Sequence, residues 1–160
     1  MKLAVFSDVH GNLAALKAVL ADVKTRTPDI TLCAGDLVGY GPYPDETVNL
    51  IQQENIPCVM GNYDDGVGFS RLVCGCDYKN EQERILGEKS IAWTKEHTSE
   101  GTKEFLRSLP HEIRLETESK RLLIVHGSPK RLNEYLTEDT PETYLNNLLK
   151  EEEADLLICG

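Results

Sequence analysis

The chain is 160 residues long and carries 17 basic against 27 acidic side chains, a formal charge of −10. A single soluble domain of this length buries about two thirds of the surface its unfolded chain exposes, so it needs no disulfide framework to fold. The acidic balance argues against a nucleic-acid duplex as partner, because that affinity comes from Lys and Arg neutralising phosphates. No apolar run approaches the ~20 residues of a membrane span.

In chain order, residues 2–6 form an apolar strand ended by Ser7 and Asp8. That stretch is too short for a signal peptide, and the expected location is the cytoplasm. Leu13, Leu16, Leu20 and Val23 then recur on one helical face. Residues 29–34 read as a second strand closed by Gly35, Pro42 and Pro44 mark a loop, and residues 45–54 read as a helix. Residues 56–60 give a third strand. Strand, helix and strand repeated at short intervals predict βαβ units, hence an α/β fold with a parallel sheet.

Residues 63–79 are rich in Gly and Asp and predict a surface loop. Helical pattern returns over 80–97, with Ile85, Ile91 and Trp93 expected inside, and over 99–109, where Pro110 stops it. Ile113, Leu115 and the run 121–125 predict a hairpin that starts a second sheet. Thr140 and Pro141 open a last helix bearing Tyr144, Leu145, Leu148 and Leu149. The segment 155–160, Asp-Leu-Leu-Ile-Cys-Gly, echoes 29–35. Cys33 and Cys58 sit in strand-like runs and are expected as reduced thiols that pack as small hydrophobes, and Cys74 and Cys76 as loop thiols.

Four polar clusters stand where strands end: Asp8-Val9-His10-Gly11-Asn12, Gly35-Asp36, Gly61-Asn62-Tyr63-Asp64 and His126-Gly127-Ser128-Pro129. Ligands bind at the carboxyl edge of such sheets. In Asp-x-His just past a strand, residues i and i+2 project to one side, so Asp8 and His10 can reach one ion. Asp36 has two oxygens with which to bridge two ions, and Asn62 and His126 offer donors for the second. Two cations ~3.5–4 Å apart polarise phosphoryl oxygens and lower the pKa of a water nucleophile. Oxygen and imidazole donors accept Mn, Fe, Zn, Ni or Co, with Mn the expected choice. No Gly-x-Gly-x-x-Gly follows the first strand, which removes a dinucleotide-binding reading.

In order and spacing these clusters resemble the ligand motifs of the calcineurin-like metallophosphoesterases. Gly39-Tyr40-Gly41-Pro42 and Gly127-Ser128-Pro129 are similar to its small prokaryotic phosphodiesterase and diadenosine-tetraphosphatase-like branch. The resemblance implies a four-layer αββα sandwich. It also implies a dinuclear site, with Asp8 and His10 on one ion, Asp36 bridging, and Asn62 and His126 on the other. A metal-dependent hydrolase of a small phosphoester is the expected function, and a non-catalytic protein-binding scaffold of the same fold, or an inactive fragment, the alternative.

Two departures accompany it. Where the family has a His that helps protonate the leaving group, this chain has Tyr63. A phenol of pKa near ~10 is a poorer donor at pH 7. The expected leaving groups are therefore aryl alcohols or phosphates, with Tyr63, Asp64 and water to serve them. The family also closes its site with Gly-His-x-His, whereas this chain stops at Cys159-Gly160, so residues 1–160 are expected to be one domain lacking its last strands. A sheet edge left open in this way can pair with a second copy, giving a homo-oligomer. Asn12, Tyr40, Lys130 and Arg131 are candidate substrate contacts, with Arg71, Tyr43 and Tyr135 as weaker ones.

Overall fold

Successive side chains along each short strand point to opposite faces of its sheet. The computed structural model describes residues 1–72, 75, 78 and 80–160. Strands β1 (Leu3–Phe6) and β2 (Ile30–Cys33) pair in parallel, with Leu3 opposite Ile30 and Phe6 opposite Cys33. Between them runs α1 (Leu13–Arg26), whose first turn is capped by Asn12 Oδ1 accepting from the Ala15 amide at 3.0 Å. After β2 comes α2 (Pro44–Gln53), with Pro44 at its first position, where a missing N–H costs nothing.

The third strand expected over 56–60 is reduced to a single parallel bridge, Cys33 to Cys58. Pro57 lacks an amide hydrogen and so cannot extend the ladder; its carbonyl accepts from Cys33 at 3.0 Å, and Val59 returns one bond to Cys33. The loop expected over 63–79 contains a helix, α3 (Asn62–Gly68). Composition alone misleads here, because Asp64 turns back to accept from the Gly61 amide at 2.9 Å and so closes the first turn.

Helices α4 (Glu81–His97) and α5 (Glu100–Ser108) are capped by Asn80 and Ser99. Ile91 is buried at 3%, but Ile85 and Trp93 are 40% and 38% exposed, contrary to expectation. The inward face of α4 is Gly87, Ile91 and Thr94, spaced by four and three, and Trp93 instead stacks on His97 with ring centroids 4.1 Å apart. The expected hairpin is formed by β3 (Glu112–Glu116) and β4 (Arg121–Val125). Helix α6 (Glu142–Glu151) then crosses over to β5 (Leu156–Ile158), parallel to β4.

Three apolar clusters separate four layers. Leu3, Val5, Ile30 and Leu32 of the first sheet face Ile113, Leu115, Leu122, Ile124 and Ile158 of the second. On the outer side of the first sheet, Phe6, Cys33 and Cys58 pack under Leu16, Leu20, Val48 and Ile51 of the helices. On the outer side of the second, Leu123, Val125 and Leu157 pack against Leu149 and Ala154. This is an αββα sandwich. Cys33 and Cys58 are free and buried, as expected, while Cys74 and Cys76 lie outside the described residues. Among the described residues, no helix is long and apolar enough to cross a membrane.

Candidate metal centre

Backbone pairing continues beyond the ends of β1 and β2. Asp8 donates its amide to Gly35 at 3.0 Å, His10 to Asp36 at 2.9 Å and Gly11 to Leu37 at 2.8 Å. Asp8, His10 and Asp36 adopt φ of 56°, 49° and 55°. This left-handed backbone costs a non-glycine residue roughly 1–2 kcal/mol and persists only where surroundings impose it. The imposing group on the Asp36 side is Asp64. Its buried carboxylate accepts from the amides of Asp36, Leu37 and Gly61 at 2.9 Å each, and from Val38 at 3.3 Å. Burial raises the Asp64 carboxyl above its ordinary value, and the amides of Gly61, Leu37 and Val38 work against the rise.

Gly61 is fixed by the same packing. A Cβ there would lie 2.0 Å from Asp36 Oδ1 and 2.2 Å from its amide nitrogen, so only glycine lets the two loops touch. Asp36 Oδ1 in turn accepts from the Tyr63 amide at 2.9 Å, which aims Oδ2 outward.

Around that oxygen the donors converge. His10 Nε2 lies 3.6 Å from Asp36 Oδ2 and 3.5 Å from Asp8 Oδ1. His126 Nε2 lies 3.5 Å from the same Asp36 oxygen and 2.9 Å from Asn62 Oδ1. Each ring is oriented from behind: His10 Nδ1 meets the Val38 carbonyl at 3.0 Å and His126 Nδ1 the Ala34 carbonyl at 2.8 Å. A carbonyl only accepts, so Nδ1 carries the proton in both rings and Nε2 is the atom turned to the centre. Asp8, His10 and Asp36 bring one ligand atom each to within 4.8 Å of one another. Four oxygen and nitrogen atoms thus gather near Asp36 Oδ2, which completes a donor set suited to hard or borderline divalent cations.

Charge is concentrated there. Burial, reinforced by the negative charge of Asp64, pushes the Asp36 carboxyl up to about 7, against the pull of both imidazoles. Burial opposes charging of His10, but the hydrogen bond to Asp8 and the charge of Asp36 outweigh it and lift the imidazole. Asp8 is raised by burial but lowered overall by its hydrogen bonds to His10 and Ser7. A cation would favour the ionised form of the Asp36 carboxyl and take the place of the proton on His10.

The donors open into a cavity of about 510 Å³ that also contains Tyr40, Tyr63, Tyr78, Tyr135 and Glu134. The rings of His10, Tyr40 and Tyr63 meet with centroids 4.8–5.2 Å apart. Burial, and contact with Tyr40 and Tyr78, raise the Tyr63 phenol well above its usual range. Gly39 makes room for that ring, since a Cβ there would lie 2.4 Å from it.

Other expected contacts lie elsewhere. Asn12 and Tyr43 line an adjoining groove that shares Asp8, His10 and Tyr40 with the cavity, and the Asn12 side chain caps α1. Lys130 pairs with Glu151 at 2.9 Å and sits 5.6 Å over the Tyr144 ring, outside the lining of the cavity. Arg131 is exposed and likewise outside it, and Arg71 is bound to Asp65. Conversely, Tyr78 and Glu134 line the cavity and were not foreseen. Glu134 is drawn in by Ser128, which donates to it, and by Tyr144, whose hydroxyl donates at 2.8 Å. No periodicity marks that link, and Tyr78 stands in a stretch without a repeating pattern.

Comparison with known proteins gives the family and the fold. The family model described as calcineurin-like phosphoesterase matches residues 1–160. An uncharacterized protein of Methanocaldococcus jannaschii is 40% identical over 161 residues, covering 99% of this chain and 60% of that protein. The crystal structure of a metallophosphoesterase from Sphaerobacter thermophilus is 32% identical with a TM-score of 0.60, over 85% of this chain and 51% of that one. A hypothetical protein from Pyrococcus horikoshii OT3 shares the fold, with a TM-score of 0.79 and 22% identity, over 99% of this chain and 68% of that one. The chain therefore spans 60% of the length of the curated relative it matches.

Proposed function

The chain belongs to the calcineurin-like phosphoesterases, and on that premise we propose that it hydrolyses a small phosphoester with the help of two divalent cations, Mn²⁺ foremost. The observation that carries this reading is the position of Asp36 Oδ2, 3.6 Å from His10 Nε2 and 3.5 Å from His126 Nε2, between two rings locked from behind. Asp8 and His10 would hold one cation, Asn62 and His126 the other, with Asp36 shared. When bound, the pair supplies Lewis-acid polarisation of the phosphoryl oxygens and lowers the pKa of a water.

The chain's own residues set the rest. Asp36, pinned through Oδ1 by the Tyr63 amide and braced by Asp64, keeps its free oxygen between the two halves. Asp64 acts as a positioning residue, because its oxygens are committed to backbone amides. Tyr63, with its phenol raised by burial, stays protonated and is a weak acid for an alkoxide leaving group. Leaving groups that depart without a proton, such as aryl oxides, fit this site best. A phosphoester of the cytoplasm is the substrate this reading takes.

Hydrolysis of bis(p-nitrophenyl) phosphate by the 160-residue chain, with and without Mn²⁺ and beside Asp36→Asn, tests it. Mn²⁺-dependent release of nitrophenol that the variant abolishes is the expected result. Mn²⁺ binding without turnover would overturn the hydrolase reading in favour of a scaffold.

A further inference from the structure

Beyond the donor atoms, the cavity has an arm walled by tyrosine. Tyr63 forms its base, with the Tyr78 hydroxyl 3.5 Å from its own. Tyr40, with its ring 4.8 Å from that of Tyr63, and Tyr135 stand on the rim 56% and 58% exposed. Rings left open beside a cavity are surfaces for a flat apolar group, which removes them from water and gains stacking. The arm is also negative. Glu134, held by Ser128 and Tyr144, and Glu83 both line it, and none of its described lining residues is Lys or Arg. A second phosphate in this arm would meet two carboxylates, whereas an uncharged ring would not.

Resting on the phosphoester reading above, we propose that this arm is a specificity subsite for a flat aromatic ring carried by a phosphodiester, with Tyr40 and Tyr135 as its stacking surfaces. The chain then selects aromatic over alkyl diesters by binding and not by leaving-group chemistry alone. An aryl ester and a nucleoside ester both present such a ring.

Phosphonate monoanions whose leaving group is an alkoxide, poor for this site, separate the cases. We would titrate the Mn²⁺-loaded 160-residue chain calorimetrically with methyl phenylphosphonate, methyl methylphosphonate and the thymidine 5′-ester of methylphosphonate. The phenyl compound is expected to bind about tenfold more tightly than the methyl one. Tyr135→Ala and Tyr40→Leu are each expected to bring that ratio toward one. A thymidine ester that binds more tightly than the phenyl compound assigns the subsite to nucleosides; the reverse order assigns it to aryl esters. Equal affinity of all three for the parent chain, or a preference that survives both substitutions, overturns the subsite while leaving the phosphoester reading intact. Failure of all three to bind overturns that reading and the subsite with it.

Discussion

Each sheet brings one pair of parallel strands to the centre, and the two pairs are built alike up to a point. Asp8 donates its amide to Gly35 where β1 and β2 end, and Gly160 donates to His126 at 2.8 Å where β5 and β4 end. Beyond that the halves differ. The first places Asp8, His10 and Asp36 in left-handed backbone and braces the strain with the buried Asp64 carboxylate. The second holds His126 without a left-handed backbone, by sending Nδ1 across the sandwich to Ala34. The first half is thus preorganised by neighbours within its own sheet and loops. The second exists only when the two sheets have closed on each other.

Substitutions can break this comparison, beginning with the residue common to both halves. Asp36→Asn removes the one charged oxygen that faces both imidazoles, and turnover of bis(p-nitrophenyl) phosphate should fall about 10³-fold. Asp64→Ala strips four backbone amides of their acceptor. Thermal unfolding should report a loss of about 3–5 kcal/mol, with Asp64→Asn falling between because one acceptor oxygen remains. His126→Ala should spare the first half. Calorimetric titration with Mn²⁺ should give one cation bound where the parent chain is expected to bind two, and turnover should drop about 10²-fold. A variant that still bound two would show that the halves are not divided as described.

How much of this was legible beforehand follows from where each constraint lies in the chain. Asp8, His10, Asp36, Asn62 and His126 could be read because each stands within a few residues of the end of an apolar run, and strand ends are where sheets present ligands. The sandwich was legible through the resemblance. The division of the run 121–125 between two faces was not, since Leu122, Leu123, Ile124 and Val125 are all apolar, and only the sandwich sends Leu122 and Ile124 one way and Leu123 and Val125 the other. What escaped were contacts between distant segments. Nothing local in Asn-Tyr-Asp-Asp-Gly announces a helix, because the cap that starts α3 uses a side chain already recruited to brace Asp36. Lys130 looked like a phosphate contact from its place after the fourth cluster, but Glu151 on α6 holds it. The near side of α4 was misassigned because Ile85 and Trp93 are apolar by type, while the packing face is set by Gly87, Ile91 and Thr94.

The smallest effect, and the one most specific to the first half, concerns pH. Without cations, burial and Asp64 hold Asp36 up to about 7, whereas the unfolded chain would ionise it near 3.8. The folded state therefore binds the extra proton between these values, and the stability it contributes is complete below the lower value and lost as pH rises through the upper one. His10, lifted by Asp8 and Asp36 against its burial, has the same sign: its contribution is present below 6.5 and lost as pH rises through its higher folded value. Asp8 has the opposite sign, but its contribution is lost only as pH falls below about 3.8, outside this window. Metal-free protein should accordingly melt at a temperature that declines by about 5 °C from pH 5 to pH 7.5. Saturating Mn²⁺ should flatten that slope, because a cation takes the place of the protons that Asp36 and His10 otherwise need. Asp36→Asn should reduce it without any metal, leaving the smaller part that His10 carries through Asp8, and a slope undiminished in that variant would move the linkage to another group.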